Sequence, residues 1–108
     1  ASEYLLPIIR MIDDSFVYAC CIRNKKTYHL IYNRKTKKTY FLSPEAPVNM
    51  HRCYALQDNV LATILFPYEL EKYVNEESRM YMSEKTLRRL EEVKDEDNPV
   101  VIKYYLMK

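Results

Sequence analysis

Glycine is absent from this chain of 108 residues. At the usual frequency of about 7%, roughly seven or eight are expected. The absence excludes several chemistries at once. A P-loop and a G-x-G-x-x-G dinucleotide turn both need backbone without a Cβ to approach phosphate, so neither can be written. The G-x-S-x-G nucleophile elbow is excluded as well. Tryptophan is also missing, whereas tyrosine occurs 11 times. Charge of one sign is scarce: 17 basic and 15 acidic residues leave a net +2. That balance is too even to call for a nucleic-acid partner. Long apolar runs are lacking too. Val60 to Pro67 falls far short of the roughly 20 residues that span a bilayer, so no transmembrane segment is expected. No signal peptide precedes Ala1-Ser2-Glu3, which reads as a cut or processed end.

Three cysteines do not make a disulfide framework. Cys20 and Cys21 are adjacent and point to opposite faces of a strand. A bridge from either to Cys53 stays open, with buried free thiols as the expectation. What remains is 48% hydrophobic and 30% charged, which suits one folded domain and excludes wholesale disorder.

The first part, residues 1–42, reads as a meander of strands. Tyr4 to Ile12 is apolar and interrupted by Pro7, so it is an extended or edge segment. Phe16, Tyr18, Cys20 and Ile22 share one face of the next strand, with Val17, Ala19 and Cys21 on the other. Both faces are apolar, which predicts a strand covered on both sides. Thr27 to Tyr32 alternates, Asn33 to Lys38 is a polar hairpin loop, and Thr39 to Leu42 returns from it. Asn24, Asn33 and Lys37 are expected to take the turn angles that glycine usually supplies. Residues 43–58 read as a linker. In 59–108, Val60 to Phe66 is an apolar strand introduced by Asp58-Asn59. Pro67 opens a short amphipathic helix to Asn75. Ser83 caps a second helix running to about Lys94, and Val100 to Met107 closes the chain as a strand. The expected fold class is mainly β: an antiparallel, propeller-blade-like sheet with a two-helix insertion before the C-terminal strand, α+β by content.

Candidate chemistry is thin. His51-x-Cys53 has a spacing two ligands of one metal can use, but no C-x-x-C or H-x-x-x-H pair supports it, and no metal is expected. Asp13-Asp14 and Asp95-Glu96-Asp97 do not match a calcium loop. The acids cluster on a helical surface rather than as the paired carboxylates of a glycosidase. Ser15, Ser43, Ser78 and Ser83 lack any nucleophile motif. No cofactor and no catalytic residue is expected. Residues 23–38 carry seven bases and no acid, against ten acids and six bases in residues 69–97. Within the basic stretch and just beyond it, Tyr28, Tyr32 and Tyr40 accompany Lys25, Lys26, Arg34 and Lys38 as an aromatic and basic surface for a sugar, a single-stranded nucleic acid or an anionic polymer. Alternating tyrosines in strands also serve plain packing.

Several motifs carry a resemblance. Asp58-Asn59 before an apolar strand, Pro67-Tyr68-Glu69-Leu70, a charged helix, and Asp95-Glu96-Asp97-Asn98-Pro99-Val100-Val101-Ile102 before a terminal lysine are similar to the C-terminal end of six-bladed β-propeller proteins found widely in Bacteroidetes. Tyr28 to Leu42, with Ile31-Tyr32-Asn33, Lys35-Thr36-Lys37-Lys38 and Thr39-Tyr40, resembles a blade hairpin of that family. The resemblance covers nearly the whole chain and implies a terminal portion of a propeller, since 108 residues cannot make six blades. It implies a non-catalytic binding or interaction segment of unknown function, exported to the periplasm or held at the cell surface as a lipoprotein. A fragment of a propeller enzyme, for instance a carbohydrate-active one, and a stand-alone α+β domain are the alternatives. A blade cut from its ring exposes apolar faces and strand edges, so self-association is expected. A protein or carbohydrate partner is the other expectation.

Overall fold

A computed structural model describes residues 6–107 and shows a mainly β fold of two antiparallel sheets and a few short helices. The first sheet is a meander in the order β1 (Leu6–Ile12), β2 (Phe16–Arg23), β3 (Lys26–Asn33), β4 (Thr39–Leu42). The second places β5 (Ala55–Gln57), β6 (Val60–Leu65) and β7 (Val100–Tyr105) in that order. The expected strand from Tyr4 begins at Leu6, and Tyr4 and Leu5 lie outside the described residues. Pro7 sits at the edge of the first sheet, where a missing N–H costs no ladder bond, and the β1–β2 register shifts beside it.

Register sets the two faces. Cys20 pairs with His29, Tyr18 with Ile31 and Phe16 with Asn33, and all six are buried on the inner face. The inner face packs against Leu61, Met50 and Cys53, with Leu56 and Tyr104 alongside, so the core lies between the two sheets. The opposite face carries Val17, Ala19, Leu30 and Phe41. Cys21 is buried there, yet Phe41 remains 49% exposed and Ile12 62%. The expectation that β2 is covered on both sides therefore holds fully for one face only.

Two polar pins join the sheets. At one end Asp13 Oδ1 accepts from the N–H groups of Ser15 (2.9 Å) and Phe16 (2.6 Å) in the β1–β2 turn. Its Oδ2 accepts from Asn59 N–H (2.8 Å) in the β5–β6 turn. At the other end the Tyr18 hydroxyl, His29 and the 50–53 segment form a buried chain of hydrogen bonds.

Three expectations need correction. The linker 43–58 contains β5, a three-residue strand held by pairing of Ala55 with Ala62 and Gln57 with Val60. So short a strand has no periodicity of its own and exists through its partner. The helix expected over 67–75 is a 3₁₀ turn at Pro67–Glu69 followed by α1 (Leu70–Tyr73). A further turn of helix, α2 (Glu76–Arg79), begins where Asn75 Oδ1 accepts from Ser78 N–H at 2.9 Å. The helix α3 (Glu84–Glu91) is capped by Ser83, as its spacing predicts. The third correction concerns turns. Asn24 (φ 51°) and Lys37 (φ 62°) take left-handed angles, but so does Lys25 (φ 63°), and Asn33 does not. Asn33 instead uses its side-chain oxygen to accept from Lys35 and Thr36 N–H.

Candidate functional site

The seven residues proposed as one aromatic and basic surface are not brought together. Lys25 and Lys26 lie at the β2–β3 turn, and Arg34 and Lys38 at the β3–β4 loop. The eight residues of β3 separate the two ends by about 23 Å at the usual rise per residue. Tyr28 and Tyr32 share the outer face, where Tyr28 stacks on Phe41 with ring centroids 5.6 Å apart. Tyr40 pairs with Ile31 and so projects to the other face. Arg34 is also committed: its Nη1 donates to Asp13 O at 2.7 Å. Alternation along β3 and β4 dictates this dispersal, since neighbours in sequence alternate between faces.

A different constellation forms at the Lys25 end. A cleft of about 350 Å³ opens where the β2–β3 turn, the end of β4, the segment around residues 48–52 and α1 meet. Lys25, Lys26, Arg52 and Lys72 line it, with His29, His51 and Tyr73, and no acidic side chain does. Lys26 Nζ lies 3.5 Å from Glu45, which neutralises it at the rim. Among the described residues, Lys25, Arg52 and Lys72 have no carboxylate within 4.0 Å.

The walls are held firmly. His29 Nε2 faces the carbonyl of Met50 at 2.8 Å and must donate to it, so Nδ1 carries the lone pair. The Tyr18 hydroxyl therefore donates to His29 Nδ1 (2.7 Å) and accepts from Cys53 N–H (3.1 Å). Burial lowers the pKa of His29 and outweighs its bond to Met50, so the ring stays neutral at the floor of the cleft. Burial likewise pushes the Cys53 thiol up to about 12 and raises those of Cys20 and Cys21. All three are free and buried, which leaves no thiolate to act as nucleophile.

His51 is fixed from several sides. Thr63 Oγ1 donates to Arg52 O (2.6 Å), so its oxygen is free to accept from His51 Nδ1 (3.0 Å). The ring meets Tyr73 edge-on at 4.9 Å, and His51 Nε2 stands 3.6 Å from Glu69. Glu69 is itself anchored, because its Oε1 accepts from Phe66 N–H at 3.0 Å. Lys72 Nζ lies 5.2 Å from the Tyr73 ring centroid, a cation–π distance. Asn49 Nδ2 donates to Lys72 O (3.2 Å) and Asn75 Nδ2 to Pro47 O (2.9 Å), tying the helical insertion to the 47–49 segment. Lys72, Arg52 and His51 could not be grouped from sequence spacing, because the cleft joins three segments distant along the chain. Cys53 donates its thiol to His51 O at 3.6 Å, and no group of three or more His, Cys, Asp or Glu side chains among the described residues is placed to hold a metal.

No helix is long and apolar enough to cross a membrane among the described residues. Neither a family model nor a curated protein matches this chain. One solved structure does: a protein of Bacteroides fragilis named as a presumed exported protein, at 16% identity and a TM-score of 0.69. The match covers 98% of this chain and 32% of that one, so the chain spans about a third of the protein it resembles. The likeness establishes a shared fold.

Proposed function

We propose that this chain is a non-catalytic binding or interaction segment of a larger propeller-type β protein, supplying one four-stranded blade and three strands of the next. The open apolar outer face of the first sheet carries this reading. Ile12 and Phe41 are exposed and Val17, Ala19 and Leu30 only half-buried among the described residues, while Phe16, Tyr18, Cys20, His29 and Ile31 on the inner face are buried. The second sheet mirrors it: Ile64, Val101 (57% exposed) and Tyr105 (73% exposed) lie on the face away from the core. Two stacked sheets with apolar outer faces are what two neighbouring blades present when the blades flanking them are missing.

The match to 32% of a longer chain leaves room for further blades in such a protein. The name of that neighbour supports an extracytoplasmic location; a place in the periplasm or on the surface as a lipoprotein is part of the proposal. With its outer faces uncovered, the isolated chain self-associates. Light scattering over a rising concentration series is expected to show mass above the 13.1 kDa monomer, together with binding of an apolar dye. A strict monomer at high concentration with no dye binding would overturn the reading and leave a stand-alone α+β domain.

A further inference from the structure

We infer that the cationic cleft at the β2–β3 turn is a binding site for a compact polyanion, a ligand bearing at least two phosphate, sulfate or carboxylate groups close together. The inference does not depend on how the sheet faces are covered, since the whole cleft lies within this chain.

Charge is the first argument. Lys25, Arg52 and Lys72 come from three separate segments, converge on one concavity, and find no carboxylate within 4.0 Å among the described residues. Of the two acids near the cleft, Glu45 pairs with Lys26, and Glu69 is outside the lining with its Oε1 held by Phe66 N–H. Cations gathered without counter-charge raise the local potential and favour an anion, more so against low-dielectric walls such as Leu42, Val48 and Pro44.

The turn that carries Lys25 is the second observation. Asn24 and Lys25 form a two-residue hairpin turn with both φ values positive. Glycine is strongly preferred at the second position of such a turn, and a side chain there carries a conformational cost. This chain places a lysine at that position, on the rim of the cleft. Lys37 takes the same angle away from the cleft, so it is the position of Lys25 on the rim, beside Arg52 and Lys72 in the lining, that carries the argument.

Size and preorganisation complete the case. A volume of about 350 Å³ lies at the lower end of small-ligand sites. The floor is rigid, because His29 is locked between Tyr18 and Met50. Lys72 is steadied over the Tyr73 ring, and its backbone carbonyl is held by Asn49. Arg52 supplies a planar fork suited to two oxygens of one anionic group, and the lysines act as point charges around it.

The test is calorimetric titration of the 108-residue chain at low salt with pyrophosphate, citrate and a disulfated disaccharide, using acetate as the monovalent control. Saturable one-to-one binding of at least one polyanion, lost on raising the salt, is expected, and whichever probe binds best identifies the anionic group. Lys25→Gly, Arg52→Gln and Lys72→Gln should each weaken it about three- to tenfold. Lys35→Gln and Lys38→Gln, at the far end of the sheet, should leave it unchanged. Lys25→Gly is the sharpest variant: relief of the left-handed strain should raise the melting temperature while affinity falls. No saturation with any polyanion would overturn the proposal, as would equal weakening by the far-end variants.

Discussion

Tyr18 shows how much one hydroxyl can hold in this molecule. It donates to His29 and accepts from Cys53, so Tyr18→Phe keeps the ring but strands the buried His29 Nδ1 and Cys53 N–H. Leaving buried polar groups unpaired costs about 1–3 kcal/mol each. Urea unfolding is expected to show a loss of about 2–6 kcal/mol for the variant, which strands two such groups. A change under about 0.5 kcal/mol would mean that water replaces the hydroxyl. Two other residues give the fold a defined response to acid. His29 has its pKa lowered below the ordinary 6.5, chiefly by burial, so the folded state favours the neutral ring. Its contribution to stability is complete above pH 6.5 and is lost as pH falls towards the lower folded value. Asp13 is also lowered from 3.8. Desolvation works against this, but the backbone N–H groups of Asn59, Phe16 and Ser15, with Arg34, outweigh it. Its stabilisation is therefore present above pH 3.8 and fades below. The melting temperature should decline in two stages on acidification. A flat profile from pH 7 to pH 5 would remove the His29 part.

Among the elements, the turns bear the consequences of a sequence without glycine. Among the described residues, five take left-handed angles without it: Asn24, Lys25, Lys37, Asp58 and Asn59. Asparagine and aspartate tolerate that region, and lysine does so at a cost of roughly 1–2 kcal/mol. Lys37, in the β3–β4 loop, lies outside the cationic cleft. Lys37→Gly is thus expected to raise stability by about 1 kcal/mol, read as a higher denaturant midpoint. A lower midpoint would mean that glycine's greater freedom in the unfolded chain outweighs the relieved strain. Element boundaries follow a similar divide. Ser83 capping α3 was legible because a cap and an apolar stripe are local signals. The strand β5 was not, because three residues acquire their conformation only from pairing with β6. The helix at Pro67 was placed correctly at its start but broken sooner than its pattern suggests. Val74 leaves the helical region and is buried, so tertiary packing outcompetes the continuing turn.

At the scale of the whole molecule, the chain is more open than its size requires. A folded monomer of 13.1 kDa exposes roughly 6,400 Å², whereas this one exposes 7984 Å². Its radius of gyration, 14.5 Å, exceeds the value of about 13 Å usual near 100 residues. Both excesses accord with the proposal that neighbouring segments cover the outer sheet faces. Replacing Ile12 and Phe41 by lysine tests this directly, since both side chains are about half exposed or more in the isolated chain. The double variant should keep its stability within roughly 0.5 kcal/mol and lose concentration-dependent association. Undiminished association would move the contact to the second sheet or to the strand edges.

The residues by themselves determined the class of fold, the meander of the first sheet, the capped helix and the exclusion of phosphate loops. These rest on alternation, capping and backbone sterics, which act over a few neighbouring residues. Only the tertiary structure decided which charges act together. Lys25 and Lys38 look equivalent in a basic stretch, but β3 carries them to opposite ends of the sheet. Lys25 instead lines one cleft with Arg52 and Lys72, far away along the chain, because the 43–52 segment and α1 border the β2–β3 turn there. The missing glycines likewise changed meaning once the angles were known: the cost falls in part on Lys25, at the rim of the cationic cleft. Spacing along a chain fixes which face a side chain takes. Only packing between distant segments sets what it faces.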